Sequence, residues 1–212
     1  RNFEHMSDIA ADWIKGTIRD AQERKGEAVL GLATGNSPTG IYKRLARAFN
    51  EGELDAGRIR SFNLDEYIGL PGENPQQRVL HPESYCYFMI QEFFSLLTRK
   101  FAETCVPYGA LVDQGKLEGE MSAHPADFTL AGDDAGKALR ISPDCSSPYL
   151  RWVREEIQEA YERKIKAHGG IDLQVIGVGG KGHVAFHEAG IPIENSRVLV
   201  VKLDDNTIHN AV

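Results

Sequence analysis

Two short apolar runs constrain the fold of this chain more than any other feature of its sequence. The first is a continuous apolar run over 28–33, and the second spans 173–177, where Gln174 is the one polar residue. A strand of this composition is buried on both faces, which is typical of parallel sheets that helices cover. Further strands are predicted over 59–64 and 198–203, with amphipathic patterns between most of them. The sequence therefore predicts an α/β fold: a doubly wound, mainly parallel, Rossmann-like sheet with helices on both faces.

Helices are predicted where apolar residues recur every three or four positions. The first begins after Ser7, and its apolar stripe is expected on Ile9, Trp13 and Ile18. The helix that starts near Pro82 is the most apolar of the chain. We therefore expect that helix to be deeply buried.

Helical periodicity is lost over 113–147, where Gly, Asp, Ser and Pro are frequent. We interpret this segment as an insertion, with three alternatives left open: a lid, small strands of its own, or a mobile segment. A Ser-Pro pair at 147–148 then predicts a long helix that ends at the glycines 169–170. The chain, 1–212, is interpreted as a single domain. It stops after 204–207, which resembles the start of a helix, so we expect the C-terminal part of this domain to be missing.

Charge and cysteine content narrow the classes of partner. The formal net charge is -7 and no run of Lys or Arg is present, so no nucleic-acid partner is expected. No apolar stretch approaches the length of about 18 residues that a membrane-spanning helix needs, so no membrane partner is expected either. Cys86, Cys105 and Cys145 suit neither a disulfide framework nor a zinc site, and Cys86 is assigned to the core. These features predict a cytoplasmic protein with a small-molecule partner.

The first polar cluster follows the run 28–33. It contains Thr34, Gly35, Asn36 and Ser37, and Ser37 is expected to cap the next helix, with Pro38 as its first residue. Small residues before a helix start favour phosphate, because free N–H groups and the positive end of the helix dipole meet there. The alternative is a capped turn without a ligand.

The second cluster ends the predicted strand 59–64. Asp65 and Glu66 are adjacent, so at most one of them faces a given side if the strand persists. A carboxylate at this place is a candidate general base. The alternative is a helix cap or a surface acid.

The third cluster, 177–188, combines glycines with His183, His187 and Glu188. Glu188 is close enough along the chain to orient His183 for proton transfer near neutral pH. A formal G-x-G-x-x-G also makes a dinucleotide site a competitor, although Gly190 and a proline soon interrupt the helix that such a site requires. The histidine spacing is not that of a zinc motif, so no metal is expected.

Together the three clusters resemble glucosamine-6-phosphate deaminases, in the wider family that includes 6-phosphogluconolactonases. The matching stretches are 31–38, 61–71, 82–94 and 177–188. The resemblance covers most of residues 25–110 and 150–212, and it does not cover the segment 113–147.

The resemblance implies a reaction in which an amino sugar 6-phosphate becomes a ketose 6-phosphate with release of ammonia. It implies that Asp65 takes the C2 proton, and that His183, oriented by Glu188, acts as acid and base in ring opening. The phosphate would be held by Thr34, Gly35, Asn36 and Ser37, and the remaining substrate contacts by Gly179 and Lys181. No metal or organic cofactor is implied, because the opened sugar carries its own carbonyl. Whether the protein is a homo-oligomer is left open.

Several positions depart from the pattern of these deaminases. Lys181 stands where an Asp is usual, and a positive charge there should disfavour the imidazolium of His183. His187 replaces a usual Asn and Ala189 a usual Pro. The resemblance therefore implies the reaction class more firmly than the substrate, which could be a galactosamine or another modified hexosamine phosphate.

Two other functions stay open at this point. Lactonases of the family usually carry Arg and Ser where this chain has Tyr67 and Phe186, which favours the deaminase branch over a 6-phosphogluconolactonase-like hydrolase. The other is a sugar-phosphate sensor without catalysis, which the unusual Lys181 keeps open.

Overall fold

A computed structural model describes residues 2–132, 137–179, 182–188, 190–194, 197–203 and 208. The chain divides into two compact units. The first unit comprises 1–65, 79–107 and 168–177, and the second comprises the remaining residues. The interpretation of the chain as one domain with an insertion stays a prediction.

The helices and strands of the described residues alternate along most of the chain. In chain order they are α1 (Phe3–Lys25), β1 (Ala28–Leu32), α2 (Thr39–Asn50), β2 (Ile59–Asn63), α3 (Pro75–Val79), α4 (Tyr85–Glu92), β3 (Glu103–Cys105), α5 (Gln114–Ala123), β4 (Phe128–Ala131), β5 (Lys137–Ile141), α6 (Pro148–Trp152), a π-helical segment (Val153–Glu159), α7 (Ala160–Ala167), β6 (Leu173–Gln174) and β7 (Val200–Lys202).

The first unit contains a four-stranded parallel sheet in the order β3-β2-β1-β6. Residue Leu32 lies opposite Asn63, and Leu30 lies opposite Leu173. Every residue of β1 is buried, as expected for a strand covered on both faces. The α/β class with a mainly parallel sheet is thus confirmed.

Helix α1 begins earlier than its sequence pattern predicts. The side chain of Asn2 accepts a hydrogen bond from His5 N–H and caps the helix there, so Ser7 lies inside it. The predicted apolar stripe is also wrong in part, because Ile18 is buried whereas Trp13 is 78% exposed. Small residues such as Ala11 take the place facing the core.

Helix α2 begins at Thr39, and its cap position is Pro38 without a side-chain hydrogen bond. The prediction that Ser37 caps this helix is therefore wrong. Instead, the carbonyl of Asn36 accepts hydrogen bonds from both the N–H and the hydroxyl of Thr39. These two bonds fix the turn from which the helix begins.

The burial expected for the apolar helix and its cysteine is not observed. In α4 only Met89 is fully buried, and Cys86 is half-buried. Cys105 and Cys145 are the buried cysteines. Apolar residues occur around most of α4, so its sequence does not indicate which of its side chains the core covers.

The segment 113–147 in the second unit is structured where described: it holds α5 and the antiparallel pair β4–β5. The predicted strand at 198–203 exists as β7, but it pairs antiparallel with β5 rather than extending the parallel sheet. The apolar composition of β7 suits a parallel or an antiparallel neighbour, so the sequence did not determine its partner. In the structure that partner is β5.

The long helix predicted after residue 147 is confirmed. Ser147 accepts a hydrogen bond from Leu150 N–H, and Pro148 is the first helical residue. A π-helical segment interrupts the helix between α6 and α7. The buried face of the whole helix includes Leu150, Val153 and Ile157, and it packs into an apolar cluster of the second unit.

Among the described residues, no helix combines the length and the apolar character needed to cross a membrane.

Candidate functional site

The loop after β1 lies at the carboxyl edge of the parallel sheet. Thr34 is half-buried, whereas Gly35, Asn36 and Ser37 are exposed. Gly35 has φ +94°, a conformation that a residue with a side chain rarely adopts. Helix α2 follows at once, so its first N–H groups and positive dipole end lie beside exposed small residues. This arrangement suits an anion such as phosphate.

Asp65 leaves the sheet at the same edge. Strand β2 ends at Asn63, and Leu64 N–H continues the ladder by donating to Leu32 O at 3.1 Å. If this register continues past the strand ends, Thr34 lies opposite Asp65. The carboxylate of the adjacent Glu66 accepts from Tyr67 N–H at 2.8 Å. Asp65 is half-buried.

The third cluster, in the second unit, folds as a tight turn rather than as a helix. Gly179 N–H donates to His183 O at 2.9 Å, and Gly182 N–H donates to Gly179 O at 2.9 Å. Lys181 lies outside the described residues. Because no helix follows Gly182 within the described stretch 182–188, the dinucleotide alternative loses the helix that it requires.

His183 and Glu188 lie close together, with a second turn between them that is closed by the hydrogen bond from His187 N–H to Val184 O. Nδ1 of His183 lies 3.6 Å from Oε2 of Glu188. The Glu188 side chain is only 4% exposed, and the imidazole is 21% exposed. A buried carboxylate beside a partly accessible imidazole can orient the ring.

Gly179 provides the space that His183 occupies. A Cβ atom at this residue would lie 2.1 Å from Nε2 of His183 and 2.2 Å from its Cε1. The predicted substrate contact of Gly179 stays a prediction, but its packing role is a structural requirement: only a residue without a side chain leaves room for the ring.

Phe186 and Tyr67 form a contact that the sequence did not indicate. Their ring centroids lie 5.0 Å apart, in the second unit. Phe186 projects from a turn closed by a hydrogen bond from His187 N–H to Val184 O at 3.0 Å. The residue before it, Ala185, has φ +53°, which is rare for a residue with a side chain. The sequence feature that could have indicated this turn is a small residue, Ala185, directly before the aromatic Phe186.

The structure therefore brings the candidate residues together in two groups. In the first unit, the loop of Thr34, Gly35, Asn36 and Ser37 shares a sheet edge with Asp65. In the second unit, Gly179 and Glu188 lie on either side of the imidazole of His183. The described residues contain no group of three or more His, Cys, Asp or Glu side chains arranged to hold a metal ion.

Comparison with known proteins identifies relatives over nearly the whole chain. A glucosamine-6-phosphate deaminase of Halothermothrix orenii is 36% identical over 209 residues, which are 98% of this chain and 64% of that protein. One of a Thermoanaerobacter species is 34% identical over 208 residues, 98% of this chain and 62% of that protein. The chain thus spans less than two thirds of the length of these curated relatives. No family model matches it.

Solved structures give a consistent result. A monomeric glucosamine-6-phosphate deaminase superposes with a TM-score of 0.66 at 28% identity, covering 99% of this chain and 66% of that one. A 6-phosphogluconolactonase from Plasmodium vivax superposes with a TM-score of 0.53 at 19% identity, covering 87% of this chain and 48% of that one. At that identity, the second likeness concerns the fold alone.

Proposed function

We propose that the chain is a member of the family of the glucosamine-6-phosphate deaminases, to which it is similar over 98% of its length, and that it converts a hexosamine 6-phosphate into a ketose 6-phosphate and ammonia. The substrate is glucosamine 6-phosphate or a close relative. The observation that carries the proposal is that the imidazole of His183 lies beside the buried carboxylate of Glu188. The chain that contains this pair is 36% identical to a glucosamine-6-phosphate deaminase. We propose a cytoplasmic location and no role for nucleic acid or membrane.

His183 opens the sugar ring in this proposal. It moves a proton from the anomeric hydroxyl to the ring oxygen, which yields the open-chain aldehyde. Glu188 holds the imidazole in the orientation and tautomer that this transfer requires. The small exposed fraction of Glu188 keeps that carboxylate away from competing water.

Asp65 then acts as the base at C2. Removal of the C2 proton gives an enolamine, and return of a proton to C1 gives an imine at C2. Water hydrolyses the imine to the ketone, and ammonia leaves. Asp65 suits this role because it is half-buried at a strand end, where the backbone ladder holds its position.

The phosphate is assigned to Thr34, Gly35, Asn36 and Ser37. Exposed N–H groups and hydroxyls at the start of α2 favour a dianion there. We assign further substrate contacts to Gly179 and Lys181. A lysine at this position adds positive charge near the sugar, so the proposal includes hexosamine phosphates other than glucosamine 6-phosphate.

The test is ammonia release from a panel that contains glucosamine 6-phosphate and galactosamine 6-phosphate, with 6-phosphogluconolactone hydrolysis measured in parallel. We expect ammonia from at least one hexosamine phosphate and no lactone hydrolysis. If no hexosamine phosphate reacts while one raises the melting temperature, the chain is a sensor and the enzyme proposal fails. Lactone hydrolysis alone would support the hydrolase.

Asp65→Asn is the matched variant for this assay, since it keeps the size and removes the base. We expect exchange of the C2 proton with solvent to fall by about 10²–10⁴-fold while substrate affinity changes little. The measurement is deuterium incorporation at C2 in heavy water. Unchanged incorporation would contradict the role of Asp65 as base.

A further inference from the structure

The hydroxyl of Tyr42 binds both backbone polar groups of one residue, Ala33. It donates to the Ala33 carbonyl and accepts from Ala33 N–H, whose nitrogen lies 3.2 Å away. Tyr42 is 0% exposed and Ala33 is 4% exposed. The ring of Tyr42 also stacks on Phe93, with centroids 4.8 Å apart and planes 10° from parallel. The Tyr42 side chain, carried by helix α2, is therefore fixed at both ends: its hydroxyl by the backbone of Ala33 and its ring by Phe93.

Ala33 is where strand β1 loses its neighbour. Carbonyls of alternate residues in a strand point to the same side. On the side of β6, Val29 O accepts from Asp172 N–H at 2.8 Å and Gly31 O accepts from Val175 N–H at 2.9 Å. Ala33 is the next residue in this series, and its carbonyl accepts from a side chain instead. Tyr42 thus satisfies buried polar groups at the point where the chain leaves the sheet.

The phosphate loop starts one residue later, at Thr34. We propose that Tyr42 is a positioning residue for this loop: it fixes Ala33, and thereby sets the direction in which residues 34–37 turn toward the start of α2. The inference rests on the proposed function, because it concerns the same loop. Tyr42 does not touch the substrate.

Two further features agree with this role. Burial raises the pKa of the Tyr42 phenol, so the hydroxyl keeps the proton that it donates to Ala33 O. The loop itself is exposed over Gly35, Asn36 and Ser37, and its own described hydrogen bonds are few: the Asn36 carbonyl is held by Thr39. Anchorage therefore has to come from the buried residue that precedes the loop.

The test is Tyr42→Phe, which keeps the ring on Phe93 and removes only the hydroxyl. We expect inorganic phosphate, measured by titration calorimetry, to bind about tenfold more weakly, as the loss of one to two hydrogen bonds implies. The KM for the reactive hexosamine phosphate should rise by a similar factor, with kcat within about twofold. The control is Phe49→Leu, in the same helix, where Phe49 packs on Phe101 with centroids 5.1 Å apart.

Each outcome separates this inference from the proposed function. Weaker phosphate binding in Tyr42→Phe but not in Phe49→Leu supports the inference, even if no ammonia is released by the wild type. Equal phosphate affinity in wild type and Tyr42→Phe overturns it, even if the wild type is an active deaminase. Equal weakening in both variants would indicate general destabilisation and also overturns it.

If Tyr42→Phe does not fold, amide hydrogen exchange of the wild type decides. We expect Ala33 N–H to be as protected as the amides of β1, and addition of inorganic phosphate to slow exchange at Gly35 and Asn36. Exchange of Ala33 as fast as that of the exposed Gly35 would show that Tyr42 does not hold the backbone, and would overturn the inference.

Discussion

At Gly179 the addition of one methyl group would reach an imidazole. The ring of His183 lies where a Cβ would be, with Nε2 at 2.1 Å, so an alanine there forces the ring to move. His183 is held from the other side by Glu188, at 3.6 Å. A displacement that breaks this pairing removes the orientation on which the proposed proton transfer depends.

We therefore expect Gly179→Ala to lower kcat by about a hundredfold, since misplacing a catalytic group by about 1 Å costs that much. Gly177→Ala is the matched control, because a Cβ at Gly177 meets no atom within 4 Å. Steady-state kinetics on the reactive hexosamine phosphate measures both. Equal activity of the two variants would show that the ring of His183 tolerates the shift.

At the scale of elements, Asp127 joins the end of α5 to the start of α6 in the second unit. Its Oδ2 accepts from Ser147 N–H and Ser146 N–H, each at 2.8 Å, and from the Ser146 hydroxyl at 2.9 Å. These bonds, with that from Ser147 N–H the largest cause, lower the pKa of the Asp127 carboxyl. Ser147 in turn caps α6, so the carboxylate fixes the residue that starts the long helix.

A carboxyl whose pKa is lower in the folded state stabilises the fold above its unfolded pKa of about 3.9, and that contribution disappears as the pH falls through the folded value. We expect Asp127→Asn to lower the urea midpoint at pH 7, and the difference from wild type to shrink below about pH 4. Asp144→Asn, at an exposed position of the same turn, is the control. A pH-independent difference would contradict the electrostatic origin.

At the scale of the whole molecule, an apolar groove is open to solvent on the first unit. A groove of about 830 Å³ runs between α1 and the edge strand β6, and its lining includes Met6, Ile9, Trp13, Leu173 and Val175. Trp13 is 78% exposed. Exposed apolar patches of this kind are uncommon on monomeric proteins and attract apolar molecules.

We expect the folded chain to bind the dye 8-anilinonaphthalene-1-sulfonate (ANS), and Trp13→Ser to reduce the dye's fluorescence by about half. Leu130→Ser serves as the control, because Leu130 is also exposed but belongs to the second unit. Urea unfolding curves of both variants establish that the fold is intact. An unchanged fluorescence in Trp13→Ser would place the dye elsewhere.

Local patterns predicted much of this protein correctly. The run at 28–33 predicted a buried parallel strand, and β1 is buried at every residue. The burial predicted over 173–177 is wrong, because β6 covers only Leu173–Gln174, is half-buried at the edge of the sheet, and is followed by Ile176, which is 55% exposed. Ser147 predicted the start of the long helix, because its cap bond goes to Leu150, three residues along. The clusters around Asp65 and His183 were proposed in the same way, from residue types at strand ends, and their functional roles stay predictions.

Other features depend on residues far apart in the chain, and only the tertiary structure decided them. The pairing of β7 with β5 is one, since an apolar strand accepts either a parallel or an antiparallel neighbour. The burial of Cys105 rather than Cys86 is another, because burial depends on which elements cover a residue. Tyr42 shows the difference most clearly. Its sequence pattern predicts a helix, but it does not show that the Tyr42 hydroxyl binds the buried N–H and carbonyl of Ala33. Those two groups take a side-chain partner because the pairing of β1 with β6 ends before Ala33.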